Sequence, residues 1–161
     1  MDEQAFHALY TATAKPLWAY IARTSGRTDI ANDLLQETYC RFLGVEFGRL
    51  DPAEAKPYLF RIATNLLHDR WRKGEDKPWS EPPETGFQHD LDTQIEVRHL
   101  LQQLKPRERQ LLWLAYVEGM THREIAKSTG LHPMSIRILL FRARQRVVEL
   151  LGGKEKVLHE V

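Results

Sequence analysis

Near the end of the chain Arg137, Arg142, Arg144 and Arg146 fall close together, and the chemistry open to them is the neutralisation of phosphates. A guanidinium is a rigid fork of donors that fits phosphate oxygens and the major-groove edge of guanine. Asp33 and Glu37 stand four residues apart with Gln36 beside them, so on a helix they form one acidic, hydrogen-bonding face suited to a basic partner helix. Asn65 sits among apolar and basic residues, where its amide can hydrogen-bond a base edge. Catalytic chemistry finds no such support. His7, His68, His89, His99, His122, His132 and His159 are scattered, with no HExxH pair, phosphate-cradling glycine loop or nucleophile elbow. No catalytic residue, metal ligand or cofactor is expected, and His68-Asp69 is expected on a DNA-facing or solvent face.

The elements that must position these groups are helical. Apolar residues recur at steps of three and four, and strand-like alternation is hard to find. Phe6, Leu9 and Tyr10 open a helix that Pro16 is expected to break or kink before Leu17, Trp18 and Ile21 continue it. Asp29 is expected to cap the next helix, whose stripe is Ile30, Leu34, Leu35, Tyr39, Phe42 and Leu43. Asp51-Pro52 and Pro57 mark a loop and a helix start, and from Tyr58 the pattern runs to Trp71 and Gly74. Helix resumes with Ile95, Leu100, Leu101 and Leu104, and Lys105-Pro106 separates it from a helix carrying Leu111, Leu112, Ala115 and Tyr116.

The segment from Gly119 to Val148 is the most informative. Thr121 and Glu124 have the spacing of a capping box, Gly130 permits a turn at positive φ, Leu131 fills the corner, and Pro133 starts another helix. Ile136, Leu140, Ala143 and Val147 form the buried stripe of that last helix, and the four arginines fall largely outside it. A helix, a short glycine turn and a basic helix make a helix-turn-helix with a recognition helix.

The 161 residues carry 23 basic and 22 acidic side chains, a net charge of +1 that points to no partner. The distribution is more telling. Residues 1–74 sum to +1, residues 75–96 to −6 and residues 97–161 to +6. Pro78, Pro82, Pro83 and Gly86 interrupt the acidic stretch, which reads as a linker. The fold class expected is therefore all-α, two small helical domains joined by an acidic Pro-rich linker, the second containing the helix-turn-helix. The boundaries are 1–74, linker 75–92, 93–152 and a tail 153–161. The lone Cys40 excludes a disulfide framework and fits a reducing cytosol as a small buried hydrophobe. The acidic start and the absence of any long apolar run lead to the expectation of a cytoplasmic protein without membrane insertion.

In order and spacing, these segments resemble a bacterial sigma factor of the small extracytoplasmic-function group of the sigma-70 family. The resemblance covers nearly the whole chain. Asp33-Leu34-Leu35-Gln36-Glu37-Thr38-Tyr39 is similar to the family's segment that grips the clamp helices of the polymerase beta-prime subunit. Tyr58 to Leu66 and Asp69-Arg70-Trp71-Arg72-Lys73 resemble the helix that meets the −10 promoter element. Leu104-Lys105-Pro106-Arg107-Glu108-Arg109 through Phe141-Arg142-Ala143-Arg144 resembles the domain that reads the −35 element.

The resemblance implies a non-enzymatic initiation factor that engages core RNA polymerase, including its beta flap, and promoter DNA, with an anti-sigma factor as a further partner. It implies that Asn65 helps hold a base flipped from the non-template strand, in a pocket shaped by the loop Phe47 to Lys56. Capturing such a base offsets unstacking and so drives melting without ATP. Arg61, Arg70, Arg72 and Lys73 would hold phosphates there. Trp71 either stacks on a base or, as aromatics at helical spacing more often do, packs in the core. The acidic linker would thread the RNA exit path.

One departure stands out. Family recognition helices place small, polar or basic residues after the position of Arg137, whereas here Ile138-Leu139-Leu140 follows. Ile138 and Leu139 either contact thymine methyls, as Phe141 also can, or form between them an apolar patch for a protein partner. A helix-turn-helix adaptor or regulator that does not itself initiate transcription is the alternative function.

Overall fold

A computed structural model describes residues 3–45, 51–74 and 91–152, and among these every regular element is helical. The first half is three helices, α1 (Glu3–Ser25), α2 (Ala31–Leu43) and α3 (Pro52–Arg72). The second is α4 (Leu91–Gln103), α5 (Pro106–Leu112), a π turn at Trp113–Val117, α6 (His122–Thr129) and α7 (Pro133–Leu150).

Three local expectations are corrected. Helix α1 runs through Pro16 without ending. The carbonyl that loses its donor there belongs to Ala12, an exposed residue within reach of water, while Leu17, Tyr20 and Ile21 bury completely on the other side of the gap. Asp29 does not cap α2, whose N-cap Ile30 makes no side-chain cap. Its carboxylate instead takes Arg27 in a fork, Nε donating at 2.8 Å and Nη2 at 2.5 Å, and the Arg27 hydrogen bonds hold its pKa below the ordinary range. Helix α3 begins at Pro52, where the missing N–H costs nothing, and continues through Pro57 because Ala55, Leu59 and Phe60 are fully buried.

The core of the first half joins Leu17, Tyr20 and Ile21 of α1 to Leu34 and Phe42 of α2 and to Leu59, Phe60, Ala63 and Leu67 of α3. Two hydroxyl pairs tie it internally: Tyr20 Oη and Thr64 Oγ1 at 2.6 Å, Thr13 Oγ1 and Tyr39 Oη at 2.5 Å. Burial pushes both phenols above their ordinary pKa, so both stay neutral. Cys40, expected inside, is exposed: the buried side of α2 is taken by Leu34, Thr38, Tyr39 and Phe42.

Helix α4 starts at Leu91, inside the stretch expected to be linker; residues 75–90 and the tail from 153 lie outside the described residues. The second half does not stand apart from the first. Helix α6 packs along α3 and α5 packs against α1, and the buried residues of both halves form one cluster that runs from Leu17 to Leu140.

Arg109 of α5 anchors this seam. It is 2% exposed, and its Nε donates to the Thr24 carbonyl at 2.7 Å while Nη1 donates to the Leu104 carbonyl at 2.5 Å and the Leu101 carbonyl at 3.2 Å. Thr24 and Leu101 lie in the last turns of α1 and α4, where helical carbonyls lack internal donors and carry partial negative charge. One guanidinium thus satisfies the ends of two helices from different halves. Burial lowers its pKa to about 10, the neighbouring Glu108 charge acting in the opposite sense, so it stays a cation at neutral pH. Lys56 and Glu118 add a cross-seam ion pair at 3.2 Å, and Lys127 and Glu54 a looser one at 3.9 Å.

Candidate nucleic-acid and polymerase interfaces

The helix-turn-helix forms as its sequence dictates. The Thr121 hydroxyl accepts from the Glu124 N–H at 3.1 Å and the Glu124 carboxylate accepts from the Thr121 N–H at 2.9 Å, which starts α6. Gly130 ends it at φ 77°. This glycine has a second reason: a Cβ there would meet the Arg61 guanidinium at 2.7 Å. Pro133 then opens α7 with the His132 ring accepting from the Met134 N–H at 3.2 Å.

On α7, Ile136, Leu140 and Ala143 face the core, and Arg137, Arg142, Arg144 and Arg146 are exposed. Arg144 donates to the Tyr116 hydroxyl at 3.2 Å and Arg146 pairs with Glu149 at 3.2 Å. Phe141 is exposed among them. The apolar pair Ile138 and Leu139 splits: Ile138 points outward, but Leu139 is half-buried and packs against the core. Successive helical residues are about 100° apart, so neighbours cannot share one exposed line.

Asn65 and Arg61 both lie on the exposed side of α3 and line one groove of about 480 Å³ with Glu54, Tyr58 and Ile62. The sixth lining residue is Lys127 of α6, so the groove opens at the seam between the halves. Glu54, Tyr58 and Ile62 stand at steps of three and four from Arg61 and Asn65, a signal the sequence contains; Lys127 enters only through tertiary packing. Of the other cations, Arg70 is half-buried, while Arg72 and Lys73 are exposed and both pair with Asp69, Lys73 at 3.5 Å. Residues 47–50 of the expected pocket loop lie outside the described residues, and 52–56 belong to α3. Trp71 is half-buried against the core, in keeping with a packing role.

The acidic face of α2 is present: Asp33, Gln36 and Glu37 are all exposed on the side opposite the core, with Arg41 donating to Glu37 at 2.9 Å. Cys40 shares this exposed side. No group of histidine, cysteine and carboxylate residues able to hold a metal occurs among the described residues, and no described helix is long and apolar enough to cross a membrane.

His68 is not on a free face. Its Nε2–H donates to the Gln110 Oε1 at 2.9 Å across the seam, and its ring lies 5.4 Å from that of Trp71. Burial lowers its pKa, the Gln110 hydrogen bond opposes that, and the Arg107 charge lowers it further. With the unfolded chain near 6.5, the unfolded state binds more protons below that value, so stability is full above about pH 6.5 and falls as pH drops through the folded pKa. Denaturant titrations at neutral and mildly acidic pH should therefore show a larger acid loss in the natural chain than in His68→Gln. Equal losses would remove His68 from this account.

Comparison with known proteins joins these features. Sigma-70 region 2 matches residues 9–76 and sigma-70 region 4 matches residues 94–147. The chain is 30% identical to the RNA polymerase sigma factor CarQ of Myxococcus xanthus, over 95% of this chain and 92% of that protein. It is 26% identical to the ECF RNA polymerase sigma factor SigM of Bacillus subtilis, over 88% of this chain and 92% of that protein. Two solved structures share its fold. The sigma factor RpoE of Bartonella quintana, in complex with the anti-sigma factor NepR, superposes with a TM-score of 0.70 at 23% identity, over 92% of this chain and 98% of that one. CnrH, in complex with the cytosolic domain of CnrY, gives 0.71 at 21% identity, over 94% and 90%.

Proposed function

The chain belongs to the extracytoplasmic-function group of the sigma-70 family, whose members act in transcription initiation, and from that premise we propose that it binds core RNA polymerase and directs it to promoters with distinct −35 and −10 elements. The observation that carries this reading is the union on one chain of three exposed faces: the acidic stripe of α2, the Asn65 groove of α3 and the basic side of α7. A regulator that only binds DNA needs the last of these and neither of the others.

In this reading Asp33, Gln36 and Glu37 hold the basic clamp helices of the beta-prime subunit, and the second half meets the beta flap. Arg137, Phe141, Arg142 and Arg144 enter the −35 element, where each phosphate neutralised releases counterions and makes affinity steeply salt dependent. Asn65 hydrogen-bonds the edge of a base flipped into the α3 groove, and Arg61, Arg70, Arg72 and Lys73 hold the strand that carries it. Arg72 and Lys73 exchange Asp69 for phosphates, an inexpensive step because exposed ion pairs contribute about 1 kcal/mol or less.

Engaging both elements requires the seam to part. Arg61 lies against Gly130 and Lys127 borders the Asn65 groove, so a strand reaching Asn65 displaces the helix-turn-helix from α3. The closed arrangement is thus the form of the chain away from its promoter, held by Arg109. Of the two solved structures, RpoE is bound to the anti-sigma factor NepR and CnrH to the cytosolic domain of CnrY, and an anti-sigma factor that favours the closed form would keep this chain inactive in the cytoplasm. Transcription by core polymerase with and without the chain tests this reading.

A further inference from the structure

Helix α7 carries an exposed apolar line that its neighbours do not explain. Met134, Ile138 and Phe141 are 77%, 54% and 55% exposed, and their steps of four and three place them on one face of the helix. Their side chains spend apolar surface on water. Arg137 and Arg144 flank this line on one side and Arg142 flanks it on the other, all exposed. Arg144 is steadied by the Tyr116 hydroxyl. The line begins in the first turn of α7, the end of a recognition helix that approaches base edges.

We infer that Met134, Ile138 and Phe141 select thymine in the −35 element through its C5 methyl group. The inference rests on reading α7 as the helix that enters that element. In the major groove thymine alone among the four bases presents a methyl group, and an apolar side chain is its complement. From Met134 to Phe141 the helix rises roughly 10 Å, about three base-pair steps of 3.4 Å, so each of the three residues meets a different base pair. Arginines on both flanks face the two phosphate walls, while the line between them faces the floor. The line is a single side chain wide, since Arg137, Arg142 and Arg144 bound it closely. That width suits the floor of a groove better than the core of a protein interface, whose centre is a broad apolar patch depleted in charge.

The test uses the full chain assembled with core polymerase. A duplex library randomised across the −35 region is selected for binding, and each thymine in the enriched element is then replaced singly by deoxyuridine, which removes the methyl and keeps every hydrogen-bonding group. Affinity should fall about fourfold for each methyl that meets the line, the worth of one buried methyl group. Ile138→Ser, an exposed change, should erase the thymine-to-deoxyuridine difference at one position. Equal binding of thymine and deoxyuridine throughout, or an enriched element without thymine, overturns the inference while leaving promoter selection standing. An Ile138→Ser chain with the same thymine preference also overturns it and returns the line to a protein partner. No enrichment at all defeats the initiation reading and this inference with it.

Discussion

Arg109→Ala should lower the unfolding free energy by about 3 kcal/mol, because it leaves buried carbonyls of Thr24 and Leu104 without donors, each at a cost of roughly 1–3 kcal/mol. The guanidinium is buried, and carbonyls at the end of α1 and just beyond α4 accept from it, where the partial negative charge of a helix C-terminus favours a cation. Since Thr24 lies in one half and Leu104 in the other, the loss falls on the seam. Small-angle scattering should report a larger radius of gyration for the variant under conditions where its helices remain formed. Arg109→Lys retains the charge but not the fork and should fall between the two. Urea titration is the check. A loss below about 0.5 kcal/mol, the size expected of an exposed surface change such as Arg137→Ala, would show that Arg109 does not hold the halves together.

Asn65→Ala should slow open-complex formation by the holoenzyme roughly 5- to 150-fold, the equivalent of the roughly 1–3 kcal/mol that a well-placed side-chain amide contributes to base discrimination. Asn65 is exposed, so the change leaves the core of α3 intact and the effect is not one of folding. A promoter lacking the flipped base at that position provides the control. On such an abasic template the natural and variant chains should open DNA at similar rates, because the partner of the amide is gone from both cycles. A fluorescent base analogue in the −10 region follows the kinetics. A persistent gap on the abasic template would place the role of Asn65 elsewhere, in phosphate contacts or in positioning its neighbours.

The helix-turn-helix was legible in the sequence because each of its signals is local. The capping box of Thr121 and Glu124, the glycine at φ 77° and the proline at the start of α7 act within a few residues of one another. The acidic face of α2 was legible for the same reason. Pro16 misled because a local rule met tertiary packing: α1 continues through it, with Thr13 buried before the gap and Leu17, Tyr20 and Ile21 buried after it. Asp29 misled because an arginine two residues away competes for its carboxylate.

The seam was not legible at all. Arg109 and Thr24 are separated by 85 residues, and nothing in Arg107-Glu108-Arg109 marks one arginine as buried. His68 and Gln110, 42 residues apart, are hidden from periodicity in the same way. The apolar line on α7 was half legible: Ile138 stood out, but its neighbour in sequence turned inward, and its partners in space are Met134 and Phe141. Adjacent residues catch attention in a sequence, whereas residues three and four apart share a helical face.

Run-off transcription on a library of genomic fragments, with core RNA polymerase in the presence and absence of the chain, decides whether the chain initiates at promoters of its own. An initiating chain gives transcript starts that require it, that share two elements spaced upstream, and that vanish when the salt concentration is raised enough to strip the arginines of α7 from DNA. Stable association of the chain with core polymerase in the absence of any new start would contradict it, and would make the chain an adaptor that occupies polymerase without initiating.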